Sequence, residues 1–313
     1  MPGDTTALPI ISKSLDEYAE RRSFSKAGEL LTLLRTHPFD NGQWAFRGHT
    51  RADYFLQPSI ERIFDAARFP LNEAEELVGN LFRARAHHYV VNLPPNTDEL
   101  EWLSLMRHHG APTRLLDWTV SPYVAAFFAT CERAPALIQQ REPRPTHCAS
   151  AIWAINAVSL KEAARKIISS GPGDEVSSSA KLGSRAHFNR IFLSRHGKLT
   201  PLIAPVRPVR MNERLTVQRG LFLCASTLEF GFEAILKKML ADEYAVGGTK
   251  TEWFYKLEIE PSARLDVLTE LRRMNITYGS LFPGLDGFAR SMQTYLEIKA
   301  YLRGQPKQID DVL

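Results

Sequence analysis

Cysteine is scarce in this chain, which has three cysteines among 313 residues, at Cys131, Cys148 and Cys224. Their odd number and scattered positions argue against a disulfide framework and against a zinc site built from cysteine thiolates. Proteins of a reducing compartment use cysteine in this way, so we expect the chain to be cytoplasmic.

Long hydrophobic runs are also missing. No apolar segment approaches the roughly 18 residues that a membrane-spanning helix needs. The first residues, MPGDTTALPIISKSLDEYAERR, lack the basic-then-apolar order of a signal peptide. We therefore expect no association with a membrane.

Several well-known catalytic motifs do not occur. The chain has no G-x-G-x-x-G or Walker loop, no G-x-S-x-G elbow and no set of kinase motifs. Its histidine pairs, His87-His88 and His108-His109, are adjacent residues, and adjacent side chains on a helix point about 100° apart. The sequence therefore argues against a Rossmann-type or P-loop fold, a serine hydrolase and a metal site.

Charge gives a weaker indication of the ligand. Lysine and arginine number 39 against 35 aspartates and glutamates, and arginine outnumbers lysine by more than two to one. Because the planar guanidinium binds phosphate through two parallel hydrogen bonds, this composition favours anionic ligands such as a nucleotide or a nucleic acid. An unspecialised basic surface would give the same net charge.

Periodicity predicts a mixture of helices and strands. Helical spacing covers 14–36, 70–90, 98–107, 232–240 and 261–271, strands are expected at 44–48, 151–155, 214–225 and 254–259, and 169–185 is typical of a loop. In the helix over 70–90, Leu77, Val78 and Leu81 share the apolar face. No repeat or Pro/Gly-rich linker divides the chain, so we predict one α+β domain with peripheral helices.

The run from Met106 to Thr119 is the most informative stretch. It reads MRHHGAPTRLLDWT and concentrates hydrogen-bonding side chains between two apolar segments. The following Pro122 to Ala129 is small and apolar, as at the start of a buried helix. Because polar groups gather where a strand or turn meets a core helix, we expect a ligand site here.

Individual residues allow two interpretations. At the end of an apolar strand, Arg47 could reach a phosphate or ribose while Gly48 lets a flat ligand approach, or the two could form a salt bridge and a turn. His109 could touch a ligand at the rim of the polar run. Gln218, before a second glycine, could align a ligand hydroxyl or satisfy a buried backbone group.

The centre of the run is equally open. Trp118 could stack on a ring while Asp117 and Thr119 bind hydroxyls. Alternatively, Asp117 forms a structural ion pair with Arg114 or Arg47, and Trp118 fills the core.

Four motifs together resemble the FRG domain, named for its Phe/Tyr-Arg-Gly motif. They are W-A-F-R-G, H-H-G-A-P-T-R-L-L-D-W-T-x-S-P-x-x-A-A-F-F-A, R-L-x-x-Q-R-G-x-F and L-F-P-G-L-D-G. The resemblance implies an FRG domain over 25–303, a helical extension over 1–24 and a tail over 304–313. The order of its elements looks like the ADP-ribosyltransferase fold, a mixed or antiparallel split sheet with peripheral helices.

That likeness implies NAD as a substrate. Arg47 would bind a phosphate or ribose, and Gly48 would make room for the carboxamide. Trp118 and Thr119 would fill the second-strand role, and Arg114 would join the NAD-binding set.

The late-strand position of that fold usually carries a glutamate, and here it falls near Gln218. Glutamine can bond the ribose 2′-OH but carries no charge, so Asp117 or Glu213 could supply the carboxylate. The catalytic set implied is Arg47, Asp117, Gln218 and His109.

The resemblance therefore implies an NAD-dependent ADP-ribosyltransferase, a toxin or defence effector restrained by an antitoxin or chaperone protein. The composition favours a nucleic-acid acceptor, such as RNA, slightly over a protein. One alternative is an NAD-independent nuclease-like toxin with His109 as base and Arg47 or Arg114 as phosphate clamp. Another is a non-catalytic module that binds a nucleotide or a partner protein.

Overall fold

The computed structural model describes residues 14–63, 69–132, 148–169, 185–192 and 200–303. Its strands are β1 (Glu20–Phe24), β2 (Trp44–His49), β3 (Leu115–Thr119), β4 (Ser150–Asn156), β5 (Ile203–Val206), β6 (Gly220–Ala225) and β7 (Phe254–Ile259). Its helices are α1 (Ala27–Leu33), α2 (Ser59–Ile63), α3 (Leu71–Ala86), α4 (Glu99–His108), α5 (Pro122–Thr130), α6 (Ala157–Ser169), α7 (Arg185–Phe192), α8 (Glu213–Val217), α9 (Phe232–Ala245), α10 (Lys250–Trp253), α11 (Arg264–Arg273), α12 (Tyr278–Leu281) and α13 (Leu285–Leu302).

The strands form one seven-stranded mixed sheet in the order β1-β7-β4-β2-β3-β6-β5. β1 runs parallel to β7, and the other neighbouring pairs are antiparallel. This arrangement confirms the α+β class.

The sheet is narrowly joined at its centre. β2 and β3 are in register only where Phe46 faces Thr119, whereas β2 and β4 pair along their length from Trp44 to His49. The strands on either side of this junction therefore diverge and leave an opening between the two halves of the sheet.

Hydrophobic cores cover both faces of the sheet. On β2, Trp44 and Phe46 pack with α1, α5 and α11, while Ala45 between them belongs to the core that includes α4, α6 and α9. This division follows from the alternation of side chains along a strand. None of the helices in the described ranges carries an apolar stretch that could cross a bilayer.

Helix α5 lies closely against β2, and the local sequence explains why. Ser121 caps the helix by accepting a hydrogen bond from the Val124 amide, and Pro122 occupies the first turn. A Cβ on Gly48 would lie 2.1 Å from the Ala125 carbonyl oxygen, so only glycine permits this approach.

Two predicted elements differ from the structure. In the predicted helix over 14–36, Ser14 caps a 3-10 turn, and the edge strand β1 comes before α1. The predicted strand over 214–225 is α8 followed by β6, because Asn212 accepts a hydrogen bond from the Leu215 amide and starts a helix.

The predicted apolar face of α3 is wrong in part, because Val78 packs against the core as expected but the two leucines do not. Leu77 and Leu81 are 54% and 50% exposed, whereas Leu71, Ala74 and Glu75 are buried. The buried Glu75 is held by an ion pair, so a charged residue occupies the inner face of this helix.

Part of the extension predicted over 1–24 is a strand and not a helix. Glu20–Phe24 forms β1, which pairs with β7 and belongs to the main sheet. Residues 1–13, the tail over 304–313 and nearly all of the loop predicted over 169–185 lie outside the described residues.

Candidate functional site

A cavity of about 400 Å³ opens at the junction between β2 and β3. It receives residues from β2, β3, α2, α4 and the segments around α8 and α12. Its charged lining residues are Arg47, Arg62, Arg107, Asp117, Glu132, Arg214 and Arg290. Five arginines and two carboxylates make this a positively charged cavity.

Arg47 crosses the sheet junction. Its Nη1 donates to the Asp117 carbonyl oxygen at 2.5 Å, and its Nε donates to Nε2 of His49 at 3.0 Å. Burial lowers the pKa of Arg47 to about 10, so the guanidinium stays charged at neutral pH. No described residue accepts a hydrogen bond from Nη2, which leaves that nitrogen available to a ligand.

His49 fixes one side of this guanidinium. Burial, and then the charge of Arg47, lower the pKa of His49 to about 3. The imidazole is therefore neutral at physiological pH, with Nε2 as acceptor and the proton on Nδ1. Nδ1 is buried, and a hydrogen bond with the Tyr54 backbone opposes these two effects on the pKa.

Asp117 brings a carboxylate into the cavity. Its Oδ2 accepts from Nε and Nη2 of Arg107, at 2.8 and 2.5 Å. Burial alone would raise the pKa of this carboxyl, but Arg107, with Arg47 and Arg214, outweighs burial and holds the pKa below its usual value. The side chain is 44% exposed, and Oδ1 accepts no hydrogen bond from the described residues.

The turn between α8 and β6 completes this wall of the cavity. The Gln218 amide nitrogen donates to the Leu281 carbonyl at 2.9 Å, and Thr119 Oγ1 donates to the Gln218 carbonyl at 2.7 Å. Arg219 has a φ of 50°, a left-handed conformation that reverses the chain into β6. These bonds connect the two sides of the opening and fix Gln218 at its edge.

Aromatic rings also line the cavity. The Arg214 guanidinium lies 4.5 Å from the centre of the Phe282 ring. Tyr278 donates its hydroxyl proton to Glu132 Oε1 at 2.9 Å. Tyr54 also lines the cavity and is 43% exposed.

A smaller cavity of about 240 Å³ lies beside the first. The two share Arg107, Asp117, Arg214, Leu215 and Gln218. Because their walls are common, the two cavities form one cleft with two compartments. His108 lines the smaller compartment, and burial lowers the pKa of this histidine.

Six sequence-predicted residues therefore line the cleft together, namely Arg47, Gly48, Asp117, Trp118, Thr119 and Gln218. The space created by Gly48 is filled by α5 on the far face of β2. Its predicted role of making room for a carboxamide thus has a competing structural explanation.

Trp118 lines the cavity but offers little surface to a ligand. The residue is 3% exposed, and its side chain belongs to the hydrophobic core. The predicted stacking role does not fit this burial, and the alternative in which Trp118 fills the core does.

Arg114 does not fit its predicted NAD-binding role. It is 5% exposed, its Nε donates to Glu75 Oε2 at 2.6 Å, and its Nη1 donates to the Phe192 carbonyl at 2.5 Å. It lines a different cavity, beside α3 and α7. The structure therefore gives it a structural ion pair with Glu75, not with Asp117.

His109 and Glu213 are also outside the cleft. Both are exposed, and neither lines the two compartments described above. The lining of the cleft therefore does not support the catalytic role predicted for His109 or the substitute carboxylate of Glu213.

Sequence reasoning missed four arginines of the cleft, namely Arg62, Arg107, Arg214 and Arg290. Arg107 lies within the polar run, so the concentration of polar residues there was an available signal. Arg62 lies on α2 and Arg290 on α13, and no local sequence pattern marks either residue.

Comparison with family models identifies one region of the chain. The model of the FRG domain matches residues 42–136. The chain carries an FRG domain. This region holds Arg47, Arg107 and Asp117, so the FRG domain supplies the centre of the cleft, while Arg214 and Gln218 come from later residues.

The match confirms the resemblance predicted from the motifs. It covers just under a third of the 313 residues and is narrower than the predicted 25–303. Comparison with curated proteins and with solved structures returned no similar protein.

Proposed function

We propose that the protein is an NAD-dependent ADP-ribosyltransferase whose active site is the cleft between β2 and β3. One observation carries the proposal: Arg47, Asp117 and Gln218, from three separate parts of the chain, line one positively charged cavity at the split of the sheet. The split sheet agrees with the ADP-ribosyltransferase-like fold that the motifs suggest.

The cleft suits NAD in size and charge. Its larger compartment, at about 400 Å³, falls in the usual range of small-molecule sites, and the neighbouring compartment extends it. Arg47 and Arg214 complement the two negative charges of the pyrophosphate.

The transfer breaks the bond between ribose C1′ and the nicotinamide nitrogen. Nicotinamide leaves with the bonding electron pair, and an acceptor nucleophile forms the new bond to C1′ and loses its proton to water or to a base. Positive charge develops on the ribose during this step. The ionised carboxylate of Asp117, which lines the cleft, stabilises that charge.

Gln218 has a secondary part. Its amide nitrogen is bonded to the Leu281 carbonyl, which leaves its side-chain oxygen to accept a hydrogen bond from a ribose hydroxyl. Asp117 thereby takes the electrostatic role that a late-strand glutamate has in other transferases of this type.

NAD labelled in the nicotinamide ring tests the proposal directly. We expect the purified protein to release nicotinamide in the presence of total RNA, DNA or lysate. Asp117→Asn, which keeps size but removes the charge, should lower the rate by about a hundredfold or more. Arg35→Met, at an exposed arginine outside the cleft, should leave the rate unchanged.

Two results would contradict this function. One is the absence of nicotinamide release with every acceptor. The other is an unchanged rate in Asp117→Asn, since no other lining carboxylate is held at the β2–β3 junction among the described residues.

A non-catalytic binding module is the second candidate, and a specific observation favours it. Arg47, Asp117 and Gln218 all make hydrogen bonds within the protein, as expected of a rigid recognition site. This candidate predicts NAD or nucleotide binding by calorimetry without nicotinamide release. The nuclease alternative loses its proposed base, because His109 lies outside the cleft.

The cellular role that we propose is that of a toxin or defence effector restrained by a partner protein. Expression in a bacterium should then arrest growth, and Asp117→Asn should relieve the arrest. If growth arrest persists in this variant at equal protein levels, the toxicity does not depend on the cleft.

A further inference from the structure

The arginines of the cleft extend outward from its centre to its rim. Arg47 and Arg214 are half-buried, whereas Arg62 and Arg290 are exposed and come from α2 and α13. All four line the larger compartment. Among the described residues, the guanidinium groups of Arg62 and Arg290 have no carboxylate partner.

These like charges act on one another. Burial, and then the charge of Arg107, lower the pKa of Arg62. Burial also lowers the pKa of Arg214, and Arg107 and Arg290 add to that effect, although Asp117 opposes it. The arginines therefore form one connected group whose mutual repulsion an anionic ligand would relieve.

NAD accounts for only part of this charge. Five arginines against Asp117 and Glu132 leave three uncompensated positive charges in the lining. NAD brings a pyrophosphate with two negative charges and a nicotinamide ring with one positive charge. The loaded cleft would therefore remain positive, and the exposed Arg62 and Arg290 are the groups that a second ligand can reach.

An aromatic ring belongs to the same lining as the outer arginines, and the Arg51 guanidinium lies 5.5 Å from the centre of this ring. Tyr54 is 43% exposed in the cavity lining, and its ring packs edge-on against His49 with 6.3 Å between the ring centres. The next residue, Phe55, is 66% exposed. Arginine side chains beside exposed aromatic rings are typical of sites where single-stranded nucleic acid stacks its bases.

We propose that the acceptor is single-stranded nucleic acid, with phosphates on Arg62 and Arg290 and a base against Tyr54. This inference rests on the proposed function, since it names the acceptor of the same site. A duplex fits poorly, because its bases are stacked on one another and only an unpaired base offers its face to a tyrosine in a concave site.

Binding of a labelled twelve-nucleotide RNA, followed by fluorescence anisotropy without NAD, tests the surface independently of turnover. We expect binding that weakens with salt, and weaker binding of the same sequence as a duplex. Arg62→Ala and Arg290→Ala should each reduce the slope of log K against log salt by about 0.7. Tyr54→Ala should lower affinity by about fivefold or more and leave that slope unchanged.

Arg35→Ala is the matched control and should bind as the wild type does. Circular dichroism verifies that each variant is folded. Equal affinity for the single strand and the duplex would overturn the inference, as would unchanged salt slopes in both arginine variants. Stronger competition by a doubly phosphorylated peptide than by the unlabelled strand would overturn it in favour of a phosphoprotein acceptor.

A second readout identifies the acceptor. NAD labelled in the adenosine part is incubated in separate reactions with single-stranded DNA and with single-stranded RNA. We expect the label to appear on the strand in at least one of these reactions. If nicotinamide is released but the label appears on protein alone, the proposal of a single-stranded acceptor is refuted and the proposal of an ADP-ribosyltransferase stands. Strand binding without any nicotinamide release would refute the transferase, and with it the acceptor role.

Discussion

Arg107 holds one carboxylate oxygen of Asp117 through two hydrogen bonds, while the other oxygen accepts none from the described residues. The two donors are Nε at 2.8 Å and Nη2 at 2.5 Å, both to Oδ2. This pairing keeps Asp117 ionised and oriented in a partly buried place. Arg107 is thus the residue on which the charge of the proposed active site depends.

Replacing Arg107 by glutamine should raise the pKa of Asp117. A carboxylate whose pKa is depressed in the folded state stabilises the protein above its unfolded pKa of about 3.9, and this contribution disappears as the pH falls through the folded value. Because the pair is partly exposed, the loss at pH 7 should be at most about 1 kcal/mol. Urea unfolding at pH 7 and pH 3 measures it.

The difference in free energy of unfolding between wild type and Arg107→Gln should shrink at pH 3. Asp117→Asn, which removes the titrating carboxylate itself, should show the same pH trend. A difference that is equal at both pH values would mean that the pair does not depress the pKa of Asp117.

The lowered pKa of His49 predicts a second and larger effect of pH on the free energy of unfolding. Its folded pKa of about 3 lies below the unfolded value of about 6.5, so the unfolded chain binds the proton first. The stability from this group is complete above about pH 6.5 and is lost as the pH falls toward 3. Each pH unit in that window should cost up to about 1.4 kcal/mol.

The variant His49→Gln should have a flatter profile of unfolding free energy between pH 7.5 and 4.5. Glutamine can still accept the hydrogen bond from Arg47 but does not titrate. Parallel profiles for wild type and His49→Gln would show that His49 takes up its proton in the folded protein.

Gly48→Ala tests why glycine follows the arginine. The added methyl would meet the Ala125 carbonyl at 2.1 Å, and backbone of α5 cannot move aside as a flexible side chain can. We expect a loss of about 1–3 kcal/mol or more in the free energy of unfolding. Chemical denaturation measures it.

Gly28→Ala is the matched control, because no atom lies within 4 Å of the Cβ position in α1. It should gain about 0.5–1 kcal/mol from the better helix propensity of alanine. If Gly48→Ala is as stable as the wild type, close packing against α5 does not explain this glycine. The explanation that remains is that glycine makes space for a ligand.

Much of the fold follows from sequence periodicity. The strands at 44–48, 151–155 and 254–259 were predictable because buried apolar residues mark them, and β2, β4 and β7 lie there. β1 was not predictable, because its sequence, ERRSF, is polar and its burial comes only from pairing at the edge of the sheet. Its residues have no pattern of their own.

The site was predictable in part. The polar run and the Arg-Gly motif led to Asp117 and Arg47, which the sheet brings together over 70 positions of sequence. Arg62 and Arg290 were not predictable, since only the packing of α2 and α13 places them beside the cleft. Arg114 is the opposite case, a residue predicted in the site that lies outside it. Its partner Glu75 lies on α3, and the apolar pattern of that helix did not reveal its buried face.

The buried pair of Arg114 and Glu75 supports the last prediction. Both side chains are less than a tenth exposed, and the guanidinium also donates to backbone carbonyls. Arg114→Met leaves the Glu75 charge buried without its partner, so we expect a loss of about 3–5 kcal/mol. Adding Glu75→Leu should restore most of this stability, because an apolar pair leaves no unpaired charge.

Nicotinamide release per folded molecule, measured beside thermal unfolding, separates structure from catalysis here. If Arg114 has only the structural role, the double variant should turn over NAD at the wild-type rate, since its cavity beside α3 and α7 is not the proposed active site. A double variant that is as stable as the wild type but has lost turnover would return Arg114 to the NAD-binding set, because packing alone could not then explain the loss.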